Sequence, residues 1–155
     1  MKNSAKCLAL GVLLATSSSF GQGISATLNE SDPVVAATIV LSTAYVLERL
    51  EALCQRLHPA TVPALKTAHD AWMARHDAVY NKAGDIFTSV LSTQQRSQLF
   101  ADWKSQSDQI EEMLGSATRQ ESREWCAEAP NTFIQPEMNI VERPQVVATI
   151  LDYKI

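Results

Sequence analysis

The chain has 155 residues, of which 13 are Lys or Arg and 17 are Asp or Glu, so its formal net charge is −4. This length suits one domain with a single hydrophobic core. Binding to nucleic acid phosphates needs clustered Lys and Arg, whereas the basic residues here are scattered singly along an acidic chain. We therefore do not expect nucleic acid or an anionic membrane surface as a partner.

The first 21 residues have the layout of a secretory signal peptide. Lys2 and Lys6 precede a short apolar run, and small residues follow up to an expected cleavage site near Gln22. The run is shorter than the roughly 20 residues of a transmembrane helix. Removing residues 1–21 removes those two lysines and no acidic residue, which leaves 11 basic and 17 acidic residues and a net charge of −6. We expect a periplasmic or secreted single domain over residues 22–155, with no transmembrane segment in the mature chain.

The remaining sequence predicts an all-α fold. Glycine is scarce, no Asn-Gly or Asp-Gly hairpin signal occurs, and apolar residues recur three and four positions apart. Asp32 followed by Pro33 predicts the start of a first helix. His58-Pro59 predicts the end of that helix near Leu57.

The first half of this helix carries no charged residue. A helix that is apolar on every side is buried on every side. Core burial, with the C-terminal segment VVATIL as cover, is one interpretation, and an interface with a second copy or a partner protein is the other. The residues that represent this candidate interface are Val35, Ile39, Val40 and Tyr45.

The second predicted helix begins near residue 61 and contains His-Asp twice, at His69-Asp70 and His76-Asp77. At about 100° per residue, the histidines and Trp72 fall on the apolar face and the aspartates on its flank. His69 and His76 are two turns apart, about 10 Å, whereas helical histidines that chelate one metal ion are four residues apart. We expect His69, Trp72 and His76 to line the core or a ligand, and we expect no metal site.

A third helix is predicted from the sequence LSTQQ, where Ser92 and Gln95 suit a capping box. Gly115-Ser116 predicts a kink or a division, and the helix must end by Pro130. A loop and a short helix over about 143–152 follow. The predicted fold is a helical bundle of three long antiparallel helices plus a short C-terminal helix.

Two cysteines remain after the expected cleavage, Cys54 and Cys126. An even number in a small exported protein indicates a disulfide. In the up-down-up arrangement both lie one turn from a helix end on the same side of the bundle, so the fold brings them together. A redox or metal-binding thiol pair is the alternative, but the chain has no Cys-x-x-Cys motif.

Two stretches resemble known proteins. Leu91, Ser92 and Gln95 resemble the Leu-Thr-x-x-Gln motif of periplasmic helical stress chaperones, with Ser in place of Thr and only one copy of the motif. That resemblance implies an exported helical protein with a cradle for unfolded clients. More loosely, the layout around Cys54 and Trp72 resembles small exported helical proteins of Gram-negative bacteria with no assigned activity, which implies a periplasmic bundle and no function.

No motif predicts catalysis. The sequence has no Gly-x-Ser-x-Gly elbow and no Ser-x-x-Lys with supporting motifs. Acidic neighbours such as Glu111 and Glu112 point in different directions on a helix. We expect no catalytic residue and no enzyme activity.

These patterns favour a protein that acts by binding. The first hypothesis is an inhibitor or immunity-type protein whose acidic surface attracts a basic envelope enzyme, with a homodimer as a further candidate assembly. The second is a client-holding chaperone. The third is a haem or metal carrier with a core histidine beside Met73 or Met113, although no cofactor is predicted. Asn29-Glu30-Ser31 would accept a glycan in a eukaryotic secretory pathway, so a bacterial or eukaryotic origin stays open.

Overall fold

The computed structural model describes residues 29–155, so the expected signal peptide over residues 1–21 lies outside the described part. Residues 29–155 form α-helices and short 3₁₀ turns and contain no strand. The α-helices are α1 Pro33–Leu57, α2 Val62–Val90, α3 Thr93–Ser116, α4 Arg119–Glu128 and α5 Pro144–Leu151. The 3₁₀ turns are Pro59–Thr61, Ala129–Ile134 and Ile140–Glu142. The predicted all-α class and the helical bundle are confirmed.

The ends of α1 are local features that the sequence predicts. One carboxylate oxygen of Asp32 accepts hydrogen bonds from the backbone N–H groups of Val34 and Val35, at 2.8 and 3.1 Å. These N–H groups have no partner within the helix, so the side chain supplies one. At the other end the N–H of His58 donates to the carbonyl of Cys54, and the helix stops before Pro59.

The helical segment after residue 92 is divided near the expected position. α3 ends at Ser116, and α4 begins two residues after the break at Ala117. Thr118 and Glu121 form a capping box, in which each side chain binds the backbone N–H of the other residue, at 2.9 and 3.2 Å. This box favours a new helix start over continuation, and the Thr-x-x-Glu spacing is its signal in the sequence.

The core lies between α1, α2 and α5. α1 packs most extensively on α2, and α5 closes over both. The turn Ala129–Ile134 also packs on α2 and inserts Phe133 into the core. The largest fully enclosed side chains in this core include Leu47, Trp72, Ile86 and Ile150.

α3 is the least embedded of the long helices. Of its 24 residues it buries only Trp103, Ser107 and Leu114. Tyr45 of α1 packs against Trp103, and further along both helices Arg56 pairs with Glu111. Residue numbers rise together in these two contacts, so α1 and α3 run in the same direction.

The predicted cysteine pair is confirmed. The sulfur atoms of Cys54 on α1 and Cys126 on α4 lie 2.13 Å apart and both residues are fully buried. The bond spans 72 positions of the sequence and joins the end of α1 to α4. Everything after Cys126 is therefore a tail that is attached covalently at one end only.

The candidate interface on α1 needs correction. Ile39 and Val40 are buried inside the chain, because α1 packs on α2 and is covered by α5 through Val146 and Ile150. The cover that the VVATIL sequence suggested is thus present, and these two residues are not available to a partner. Val35 is half-buried against the same core.

One helix among residues 29–155, α1, is long and apolar enough to cross a membrane by length and composition. Half of its most apolar stretch is buried inside the fold. A core helix of a globular protein passes the same test, so this feature is weak evidence for a membrane span.

Candidate functional site

Four aromatic side chains from α1, α2 and α3 meet around Trp103, and we call them the aromatic cluster. The ring of Trp103 lies 5.0 Å from Phe100, 5.7 Å from Phe87 and 6.0 Å from Tyr45, measured between centroids. Phe87 and Phe100 also meet edge to face at 5.8 Å. These separations lie within the range in which aromatic pairs attract beyond their burial of apolar surface.

The cluster reaches the surface through Phe100. Trp103 and Phe87 are buried, whereas Phe100 is 48% exposed although it packs against both of these rings. Val90, one turn after Phe87 at the end of α2, is 44% exposed. We call Phe100 and Val90, with the buried rings behind them, the Phe100 surface. An exposed aromatic ring that is supported by buried rings is a typical anchor for a protein partner.

The turn that presents Phe100 is held rigidly. The Ser92 hydroxyl accepts the N–H of Gln95, and the Gln95 side chain accepts the N–H of Ser92. Arg96 donates to the carbonyls of Thr88 and Leu91, each at 2.8 Å, which ties the start of α3 to the end of α2. The stretch that resembles a chaperone motif therefore has a local structural role, and Phe100 follows it by one turn.

A second cluster is buried between α2 and the chain that leads to α5. The rings of Trp72 and His76 stack at 4.2 Å, and Nδ1 of His76 lies 2.7 Å from the backbone carbonyl of Trp72. A carbonyl only accepts, so Nδ1 carries a proton. The indole N–H of Trp72 donates to the carbonyl of Met138 at 2.7 Å.

Asn139 completes this cluster, although no motif or periodic pattern in the sequence points to it. It is buried, and its side-chain nitrogen donates to a carboxylate oxygen of Glu142 at 2.5 Å. The amide lies beside the imidazole of His76, where it favours the protonated form, but neither Nε2 of His76 nor Oδ1 of Asn139 has a hydrogen-bond partner. Burial lowers the pKa of His76 below its usual value despite this neighbour, and the charge of Arg75 lowers it further. We call His76, Asn139 and Glu142 the His76 chain.

His69 is not part of the His76 chain. Its Nδ1 lies 2.5 Å from a carboxylate oxygen of Glu51 on α1, and its ring lies 5.8 Å from that of Phe133. His69 is half-buried, whereas Trp72 and His76 are fully enclosed. Of the three residues expected to line a ligand, the structure brings two together and gives His69 a partner of its own.

His58 and Ser122 form another pair that sequence reasoning missed. Nε2 of His58 lies 2.8 Å from the hydroxyl of Ser122, which links the end of α1 to α4 beside the disulfide. A Ser-His pair is part of nucleophilic active sites, where a third group orients the imidazole. In residues 29–155 no side chain hydrogen-bonds to Nδ1 of His58, and Ser122 is only 5% exposed. The pair is a structural cross-link, and no periodic signal could have found it.

A shallow cleft lies between α1, α3 and α4, with Leu50, Ile110 and Trp125 among its walls and Glu111 at its edge. Glu111 binds Arg56 at 2.7 Å. The enclosed space holds about one water molecule, which is far smaller than an ordinary ligand pocket. Within residues 29–155 no three His, Cys, Asp or Glu side chains are grouped to hold a metal ion. Met113, one of the two methionines considered as haem ligands, is largely exposed on α3 and does not enter the core with His76.

Comparison with protein-family models, with curated proteins and with solved structures finds no match to this chain.

Proposed function

We propose that this protein is an exported helical bundle that binds another protein through the Phe100 surface, as an inhibitor or immunity-type protein of a basic envelope enzyme. The observation that carries the proposal is the exposed ring of Phe100 on a buried aromatic base. Rigid aromatic side chains supply much of the binding energy of protein interfaces, because they bury large apolar area and lose little conformational freedom.

The charge of the chain supports a basic partner. Residues 29–155 contain 11 basic and 17 acidic side chains. An acidic surface accelerates association with a basic protein, and the effect weakens as salt screens the charges. Export is part of the proposal, and the buried disulfide is compatible with an oxidising compartment.

We also propose the finer arrangement of the bundle, in which three long antiparallel helices carry a short C-terminal one. The parallel course of α1 and α3 and the position of α5 over α1 and α2 support it. In this arrangement α2 and α3 form a hairpin whose tip is the turn at residues 91–92, and Phe100 lies two turns from that tip.

The test is a binding measurement with the mature, disulfide-linked protein and the single envelope enzyme that it retains in stoichiometric amount from extract. Phe100→Ala is expected to weaken binding, with a rise in the dissociation constant of at least about tenfold. Ile134→Ala is the matched control, because Ile134 is 66% exposed but lies outside the aromatic cluster. The complex should weaken as salt concentration rises. Equal dissociation constants for the two variants, or a dissociation constant that does not change with salt concentration, would overturn the proposal.

A client-holding chaperone is the second candidate, since an exposed aromatic surface also attracts unfolded chains. It predicts concentration-dependent suppression of aggregation of several unrelated reduced proteins. An inhibitor predicts a one-to-one complex with one folded enzyme and no such suppression. A haem or metal carrier would show a Soret band or bound metal after purification.

A further inference from the structure

We propose that the His76 chain is an acid-sensitive latch that holds residues 135–155 on the core, and that protonation of His76 releases this C-terminal tail. The proposal goes beyond the proposed function and does not depend on it. It rests on the contacts of His76 and Asn139 and on the way the tail is attached.

Two polar side-chain contacts hold the tail to the rest of the chain. The indole of Trp72 binds the carbonyl of Met138, and the next residue, Asn139, lies beside His76 without a hydrogen bond to it. Further along, the Arg143 guanidinium binds the carboxylate of Glu30, just before α1. Trp72 and His76 lie one turn apart on α2 with their rings stacked, so a change at His76 also acts on the contact between Trp72 and Met138.

The His76 chain is short of one proton when His76 is neutral. Nδ1 of His76 donates to the Trp72 carbonyl, which leaves Nε2 as a bare acceptor. The amide nitrogen of Asn139 donates to the Glu142 carboxylate, and the amide oxygen, a second acceptor, has no partner. Turning the amide over would satisfy Nε2 but place the amide oxygen against the carboxylate. In the orientation that binds Glu142, Asn139 therefore gives Nε2 of His76 no hydrogen bond.

A proton on Nε2 would supply the missing hydrogen bond, but it would also place a full charge in the core. His76 is completely enclosed and its ring is stacked on Trp72. Arg75 on the same helix adds repulsion, and the Glu142 carboxylate is bonded to Asn139 rather than to the imidazole. No ionisable side chain occurs in α5 or in α1 between residues 33 and 44, so the neighbouring helices offer no counter-charge there. Desolvation is the largest effect, and it opposes protonation.

The folded protein loses stability as the pH falls. The pKa of His76 in the folded state is lowered, so the folded protein favours the neutral ring. The contribution of neutral His76 to the free energy of unfolding is complete above about pH 6.5, the pKa of histidine in the unfolded chain. It is lost progressively as the pH falls below that value. The charged imidazole is stabilised most when water reaches Nε2. The segment that carries Asn139 excludes water from that atom.

The opening is local because of the disulfide. Cys126 fixes α4 to α1, and the tail follows it without a second covalent attachment. Once the Trp72–Met138 bond is lost, the tail is held by the Arg143–Glu30 pair and by the apolar side chains of α5. Acid therefore opens residues 135–155 while α1 to α4 stay folded.

Hydrogen exchange measured by mass spectrometry on the disulfide-linked chain at pH 7.5 and 5.0, corrected for the intrinsic pH dependence of exchange, tests the latch. Peptides of residues 135–155 are expected to exchange at least threefold faster at pH 5.0, and peptides of α3 are expected to stay unchanged. His76→Gln should abolish the difference, and His69→Gln, as matched control, should retain it. An equal rise in the exchange rate of α1 to α4 at pH 5.0 would overturn the proposal. So would faster exchange of residues 135–155 at pH 5.0 in His76→Gln.

A second variant covers the case in which His76→Gln fails to fold. Asn139→Asp/Glu142→Gln exchanges the carboxylate and the amide of this pair, which keeps their hydrogen bond and places a carboxylate beside the imidazole. It raises the pKa of His76 and should reduce the release of the tail at pH 5.0. An NMR titration of His76 in the unmodified protein is an independent readout. A midpoint below 6.5 supports the latch, and a midpoint at or above 6.5 overturns it.

Discussion

A carboxylate oxygen of Glu51 on α1 lies 2.5 Å from Nδ1 of His69 on α2, in a half-buried position between the two helices. This contact joins the pair of helices that forms most of the core. Glu51→Gln is expected to lower the free energy of unfolding by about 1 kcal/mol, because a hydrogen bond between helices loses its charged acceptor. Urea unfolding at pH 7 measures the change. Glu48→Gln, an exposed substitution one turn earlier on α1, should have little effect.

Loss of the Cys54–Cys126 bond is expected to destabilise the protein strongly. Closing a loop of this size removes chain entropy from the unfolded state worth about 4 kcal/mol. Urea unfolding with and without reductant should show a difference of this order. The Cys54→Ser/Cys126→Ser double variant should resemble the reduced protein and should not respond to reductant. A response of that variant would show that reductant acts elsewhere.

The start of α4 gives a prediction on both stability and titration. The backbone N–H of Thr118, and after it the Thr118 hydroxyl, lower the pKa of Glu121 below 4.5. A carboxyl with a lowered pKa stabilises the folded state above about pH 4.5, and this contribution is lost as the pH falls further. Thr118→Ala should cost about 1 kcal/mol of unfolding free energy, the usual value of a helix cap. NMR titration should show that the pKa of Glu121 moves toward 4.5 in that variant, and Thr118→Ser should keep both the cap and the lowered value.

Gly84 offers a substitution that should stabilise the protein. It lies inside α2, and a Cβ atom added there would meet no atom within 4 Å. Gly84→Ala is expected to raise the free energy of unfolding by about 1 kcal/mol, because alanine restricts the unfolded chain and favours the helix. Thermal unfolding measures the gain. Gly115→Ala, at an equally open position in the last turn of α3, should gain less because helix ends are frayed. A loss of stability in Gly84→Ala would contradict the open environment of this position.

The sequence alone determined the features that depend on neighbours a few residues away. Asp32-Pro33 predicted the start of α1, and Ser92 with Gln95 predicted the start of α3, because capping bonds join residues two or three positions apart. Helical spacing alone placed Trp72 and His76 on the inner face of α2. The two cysteines that remain after the expected signal-peptide cleavage predicted the disulfide, because two thiols in one small domain leave a single intramolecular pairing.

The tertiary structure alone decided which distant segments meet. Asn139 lies in a loop with no periodic pattern, so its position beside His76 depends on the path of the chain after α4. The His58–Ser122 pair and the partners of Trp103 likewise join residues far apart in sequence. Burial of Ile39 and Val40 required α5 to fold back over α1, and whether an apolar helix is covered by its own chain or by a partner depends on that packing. Local hydrogen bonds are set by adjacent residues, whereas long-range contacts are set by how all the helices fill one core.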